Sequence, residues 1–185
     1  MEYESFEARW QAVPTNLECG VRISEANIVI GCVDTRAARA LIRNGTSDGS
    51  PVGYWLDIGN NADSGQFILG EPLDEINRRS KTRLRTVAEL FPEIVDATLD
   101  NDGLPSCSAA EALERQEPFV NSTLAQHALA LLARLFRYGS IGYHGGFINL
   151  ASGVSGRLSG DPSMQSLIRQ RSKGSMKQPV GGFAA

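Results

Sequence analysis

The stretch Ala26-Asn27-Ile28-Val29-Ile30-Gly31-Cys32-Val33-Asp34 and its continuation Thr35-Arg36-Ala37-Ala38-Arg39-Ala40-Leu41-Ile42-Arg43 decide the fold class. The first piece is short, apolar and rich in β-branched residues, and it ends on a carboxylate. That is the pattern of a strand buried on both faces of a parallel sheet, with Cys32 as packing inside it. The second piece is alanine-rich and predicts a helix, with Asp34 or Thr35 as its N-cap. Asn44-Gly45 predicts a left-handed close. Two more strands are read at Val52–Ile58 and Gln66–Leu69, joined by the turn-rich Gly59-Asn60-Asn61-Ala62-Asp63-Ser64-Gly65. Strand, helix and strand within about 35 residues is the βαβ rhythm of an α/β sheet.

Beyond Gly70 the periodicity fades. Residues 71–107 hold a basic cluster, a short apolar piece (Val87, Leu90, Phe91, Ile94, Val95) and the polar loop Asp100-Asn101-Asp102-Gly103-Leu104-Pro105. So long a weakly patterned connection is expected to be functional or mobile. Order returns with a helical signal from about Ser108 to Tyr138, which Pro118 should divide because proline is expelled from helix interiors. Its second half carries Phe119, Val120, Leu124, Ala128, Leu131, Leu132, Leu135 and Phe136, spaced three or four apart as a buried stripe requires. Phe147–Leu150 reads as a last short strand. The expected organisation is an extension over 1–25, an α/β domain over 26–158, and a flexible basic tail over 159–185.

The composition is that of an ordinary globular chain: 42% hydrophobic and 21% charged residues over 185, with a net charge of −3. That charge is too mild for a protein that coats nucleic acid. No stretch approaches the roughly 18 apolar residues of a membrane span, and the start lacks the order of a secretion signal. A cytoplasmic protein without nucleic-acid or membrane partners is expected. Cys19, Cys32 and Cys107 form neither a disulfide framework nor a Cys-x-x-Cys zinc pair.

Asp34 is the best single candidate for chemistry. Ligands of open α/β sheets collect outside the carboxyl ends of the strands, where a carboxylate can hold Mg²⁺ directly or through water. The plainer alternative is a helix cap. Arg39, five positions later, is either functional or a solvated helix arginine. The Gly59–Gly65 turn can bring backbone N–H groups to a ligand, or can be a plain hairpin. Cys107 stands before an expected helix start, where the dipole would favour its thiolate; an inert cysteine beside the Ser108/Glu111 cap is the alternative. The run Arg78-Arg79-Ser80-Lys81-Thr82-Arg83-Leu84-Arg85 suits phosphate, an acidic partner or plain solvation. His127 and His144 lack metal-ligand company in sequence.

Together these residues resemble a particular family. Ala26 to Arg39 resembles the Asp-x-x-x-x-Arg segment of ThiF/MoeB-type adenylyltransferases, relatives of the ubiquitin-activating enzymes. Leu56-Asp57-Ile58-Gly59-Asn60-Asn61-Ala62-Asp63-Ser64-Gly65-Gln66, Pro105-Ser106-Cys107-Ser108-Ala109-Ala110-Glu111-Ala112-Leu113-Glu114-Arg115-Gln116 and Phe119-Val120-Asn121 are similar to the ThiF-family members of the bacterial PRTRC cassette. The similarity spans about residues 20 to 160. It implies a Rossmann-like, mostly parallel sheet, and ATP- and Mg²⁺-dependent activation of the terminal carboxylate of a small ubiquitin-like or sulfur-carrier protein. Asp34 would be the metal- and nucleotide-side carboxylate and Arg39 a supporting nucleotide-side residue. Gly59, Gly65 and Gln66 would belong to the platform for the partner's tail, and Cys107 would lie where some relatives carry an acyl-accepting cysteine. The family's glycine-rich nucleotide loop precedes the Asp-x-x-x-x-Arg strand and has no counterpart here; Thr35 stands where Asn is usual. The expectation is therefore the C-terminal part of that fold, without its N-terminal nucleotide-binding βαβ unit. A non-catalytic binding or dimerisation module is the alternative. Such a part would expose a strand edge and an apolar helix face, and is expected to form a homo-oligomer or a poorly soluble monomer.

Overall fold

β1 (Ile28–Gly31), α1 (Arg36–Gly45) and β2 (Tyr54–Asn60) make a strand–helix–strand unit in the computed structural model, which describes residues 27–47, 49–74, 77–80, 82–100 and 116–159. β1 and β2 pair in parallel, with Gly31 opposite Asp57. β3 (Ser64–Gly70) folds back antiparallel on β2, and β4 (Gly145–Asn149) and β5 (Val154–Leu158) extend the sheet in the order β1-β2-β3-β4-β5. The α/β class holds, but the sheet is mixed. Among the described strands only β1–β2 is parallel, which corrects the expectation of a mostly parallel sheet. The short turns joining β2 to β3 and β4 to β5 can connect only antiparallel neighbours, whereas a parallel pair needs a crossover such as α1.

The local chemistry of α1 is clear at both ends. Thr35 is the N-cap: its Oγ1 accepts from the Ala38 N–H at 3.1 Å. The close differs from the left-handed one expected at Asn44-Gly45. The helix runs through both residues and stops on Thr46, which keeps a right-handed conformation (φ −102°) and donates its N–H to the Ile42 carbonyl. Its Oγ1 also donates to the Arg43 carbonyl, so a side chain does the work expected of a left-handed glycine.

Strand alternation sorts the core into two layers. Leu56, Phe67, Leu69 and Ile148 point to one side, under α3 (Val120–Tyr138), which contributes Val120, Leu124, Ala128, Leu131 and Leu132. Trp55 and Ile68 point to the other, under Ile42 of α1, Val87 and Ala88 of α2 (Val87–Leu90), and Val95. The region from Glu71 to Asp100, expected as a loosely patterned connection, is a series of short pieces closing this second side. Between and around α2 lie 3₁₀ turns at Asn77–Arg79, Pro92–Val95 and Ala97–Leu99. Turns of three or four residues leave no 3.6-residue period to read. α3 begins just after Pro118, as the proline predicts, but Phe119 and Phe136, expected in its buried stripe, are exposed: both lie off the face that meets the sheet. Cys107, Ser108 to Arg115, residues 1–26 and the chain from 160 lie outside the described residues.

β1 is an edge strand among the described residues and is only half-buried, not covered on both faces. It stops at Gly31, so Cys32 stands past the strand and is exposed, in contrast to the packing role expected of it. No helix among the described residues is long and apolar enough to cross a membrane.

Candidate functional site

Past the carboxyl end of β1 the chain makes a short bend and enters α1, and the two ends of the Asp-x-x-x-x-Arg spacing part company. Asp34 is exposed and has no hydrogen bond or ion pair with another described residue. Arg39, little more than one turn into α1, points inward and is 6% exposed. Its Nε donates to Asp57 Oδ1 at 3.2 Å and to Oδ2 at 3.4 Å, and Asp57 itself is completely buried in β2. Gln66 of β3 hydrogen-bonds the same carboxylate. The expectation of a solvated Arg39 is therefore corrected: it ties α1 to the sheet.

Gly59 shows why this cluster fits. A Cβ built there would lie 2.6 Å from both Arg39 Nη2 and Gln66 Nε2. Only a bare backbone lets the guanidinium and the amide lie over the strand. Burial pushes the Asp57 carboxyl above the usual carboxylate range, further than Arg39 and the Gln66 hydrogen bond pull it down. Trp55, two residues before Asp57, has its indole Nε1 buried with no hydrogen-bond partner among the described residues. Burial, and then the Asp57 carboxylate, raise the Cys32 thiol against the opposing pull of Arg39, so this exposed sulfur is held as a thiol rather than a reactive thiolate.

The start of α1 is engaged by a distant residue. Asp100 accepts from the Arg36 N–H at 3.0 Å through Oδ1 and from the Ala37 N–H at 2.9 Å through Oδ2. The Arg36 side chain closes the contact, 3.5 Å from Asp100 Oδ1 and donating to the Leu99 carbonyl. A carboxylate thus sits where the helix dipole and free N–H groups most favour an anion. Hydrogen bonds to Arg36 and Ala37 hold the Asp100 carboxyl below its ordinary range, outweighing desolvation.

The other sequence candidates fall elsewhere. Gly65 faces α3, where an added Cβ would strike Leu124 Cδ1 and the Gly59 carbonyl, so Gly59 and Gly65 are both buried by the protein's own packing. Gln66 is half-buried with its amide on Asp57. In the basic run, Arg83 pairs with Glu89 and donates to the Glu71 carbonyl, whereas Arg79 and Arg85 are exposed. His127 is exposed and stacks on Phe67, ring centroids 5.8 Å apart. His144 is buried; its Nδ1 meets the Leu69 carbonyl at 2.9 Å, which must accept, so Nδ1 carries the proton. Among the described residues no group of three or more His, Cys, Asp or Glu side chains is placed to hold a metal ion.

The structure therefore brings Arg39, Gly59 and Gln66 together, adds Asp57 and Asp100, and leaves Asp34 exposed at the rim, without a partner among the described residues. The sequence signal for Asp57 was a lone acid inside the apolar run Tyr54-Trp55-Leu56-Asp57-Ile58; a buried strand tolerates a carboxylate only with a partner. No local signal pointed to Asp100, which meets α1 from more than sixty residues away. No protein-family model matches the chain, and no curated protein matches it.

Proposed function

We propose that this chain is the C-terminal part of a ThiF-like, Rossmann-type adenylyltransferase domain. It would serve the terminal carboxylate of a small ubiquitin-like or sulfur-carrier protein, with Asp34 as its magnesium-side carboxylate. The observation that carries this reading is the division of labour within Asp-x-x-x-x-Arg. Arg39 is spent on Asp57, which fixes α1 against β2, and Asp34 is left exposed beyond the carboxyl end of a parallel strand, with no partner among the described residues. A single exposed carboxylate fits a hydrated Mg²⁺, whose remaining ligands are waters and phosphate oxygens. The start of α1 does not fit a phosphate, because Asp100 holds its N–H groups. Nucleotide phosphates would have to be seated by other residues. The role of this chain is then to orient the metal at Asp34, and to present the β2–β3 region beside it to the carrier's tail.

Carrier-dependent ATP–pyrophosphate exchange is the test, with a small β-grasp carrier protein as substrate. Exchange should fall to background in Asp34→Ala while Arg43→Ala, a neighbouring exposed helix arginine, leaves it intact. Equal exchange in the parent and Asp34→Ala removes Asp34 from the mechanism.

The engaged start of α1 favours a second reading, a non-catalytic binding module that retains only the carrier platform. It predicts retention of the carrier on the immobilised chain with no ATP binding by calorimetry. Tight ATP binding by this chain alone counts against it.

A further inference from the structure

α3 spends one face on the sheet and leaves another exposed. Ser122, Gln126, Leu129, Ala133 and Phe136 lie on it, with Leu129 50% and Phe136 57% accessible. Their spacing alternates four and three residues, the 3.5-residue repeat of a seam between two helices. Leu129 is the midpoint of the helix. Charge is polarised along the same axis. Arg134 and Arg137 crowd the C-terminal end, their guanidinium carbons 5.4 and 5.6 Å from the Tyr138 ring centroid. The helix has no acidic residue, and its histidine, His127, stacks on Phe67 away from the seam. The other end is acidic. Glu117 is exposed just before the helix, and its N–H donates to the Ala62 carbonyl, which brings the neighbouring Asp63 to the same end. In the sequence, the upstream charges of Glu114 and Arg115 cancel.

We propose that this face binds a second copy of the chain, with the two α3 helices antiparallel about a two-fold axis at Leu129. Residues equally far from Leu129 on either side then face each other, and the surface complements its own inverse. Phe136 of one copy lies over Ser122 of the other, Ala133 over Ala125, and Leu129 over its counterpart, so a large ring meets a small residue and the alanines let the helices approach. Phe119 is 78% exposed and held at a left-handed φ of 74°. A bulky residue in that backbone is strained, and its ring recovers little within its own chain. In the pair it falls opposite Gly139 of the other copy, where an added Cβ would meet no atom of the described residues within 4 Å. The charges match as well. Arg137 stands about 12 Å beyond the axis, and Glu117 of the other copy lies just past that level, within reach of an extended arginine. A parallel pair would set the arginines of both copies together. The contact is a helix face rather than the strand edge from which the sequence led one to expect an oligomer. One helix per copy makes a small interface, so the dimer is reversible and concentration-dependent.

The test is sedimentation velocity of the full chain across a concentration series, with circular dichroism and thermal melts to show that each variant folds. The parent should pass from monomer to dimer as its concentration rises through the micromolar range. Leu129→Asp and Phe136→Asp, both at exposed positions, should each raise the dissociation constant roughly tenfold or more. Glu117→Arg should raise it several-fold, and Arg134→Glu with Arg137→Glu in that background should recover most of the loss. Orientation is read by oxidation in a background where Cys19, Cys32 and Cys107 are serine. Leu129→Cys lies on the axis and should form a disulfide-linked dimer. Ala133→Cys should not, since its two copies stand about 12 Å apart along the axis, beyond disulfide reach. Three results overturn the proposal. In the first, the parent stays monomeric throughout the series, which would leave the face to a different partner. In the second, the dimer survives both aspartate variants, which would move the contact to another surface such as a strand edge. In the third, Leu129→Cys and Ala133→Cys cross-link equally, which would make the helices parallel.

Discussion

The two sides of the sheet are held in different ways. Under α3, one nineteen-residue helix supplies a continuous apolar stripe, and Leu124, Ala128 and Leu131 are essentially inaccessible to solvent. On the α1 side, a ten-residue helix and several single turns share the cover, and polar contacts fasten them: Arg39 to Asp57, Asp100 to the start of α1, and Glu89 to Arg83 and Thr86. The difference teaches that a long helix can be held by burial alone. Short pieces bury too little surface each and need directional bonds to fix where they sit. The polar side is also where the exposed Asp34 lies, so the candidate site is built on the side whose geometry is set by named bonds.

The sharpest way to break that comparison is to orphan one charge. Arg39→Met should destabilise the fold by about 3–5 kcal/mol in urea denaturation, because Asp57 is left buried without its cation. Arg39→Met with Asp57→Leu should recover most of the loss, since a matched apolar pair carries no desolvation penalty. Equal losses in the single and double variants would show that packing, not charge, holds α1. On the α3 side, Leu131→Ala should cost about 2–5 kcal/mol. Its effect should add to that of Arg39→Met, since the two side chains lie on opposite faces of the sheet.

Next in size are the effects of pH. Burial holds the His144 imidazole below its ordinary value, against the raising influence of the Leu69 carbonyl and Glu71. The unfolded chain then binds this proton more readily. Stability is full above about 6.5 and declines as the pH falls from there toward the lower folded value. Asp57 acts in the opposite sense. Its folded carboxyl is raised, so stability declines as the pH rises from about 3.9 through that folded value. Thermal melts from pH 7.5 to 5 should show the His144 loss, and His144→Gln should flatten that limb. Melts that stay parallel in the two proteins would contradict the assignment. The smallest effect belongs to α2. Glu89 accepts from the Thr86 N–H at 2.9 Å and pairs with Arg83, and Glu89→Ala should cost about 1 kcal/mol by the same denaturation.

Much of this was legible in residues 26–69 and little of it elsewhere. The βαβ unit announced itself because β-branched and alanine-rich runs have strong local preferences, and Thr35 is a good cap in any context. β5 is not legible in the sequence because Val154-Ser155-Gly156-Arg157-Leu158 has one flank against β4 and almost every residue exposed, so no buried alternation marks it. The sequence places the end of β1 three residues too late, since Cys32 and Val33 continue the apolar run without continuing the ladder. Within the site, the sequence favours Asp34 over Arg39 for chemistry but does not say which of the two side chains is buried. Which of them turns inward depends on Asp57, eighteen residues away from Arg39 and on another strand. Long-range partners of this kind leave no periodic trace, and Asp100 is the extreme case.

The seam between β3 and β4 has a consequence for how the molecule assembles. β2 and β3 are neighbours along the chain, yet the Leu69 carbonyl meets His144 across a separation of 75 residues. Closing so large a ring forfeits more chain entropy than closing a hairpin, though each doubling of its length adds only about 0.6 kcal/mol. The β2–β3 hairpin should therefore form early, and the zipping of β4 onto it should set the folding rate. Circular permutation that opens the chain between residues 101 and 115 and joins the old ends would change that ring, and with it the refolding speed, far more than it changes the finished structure.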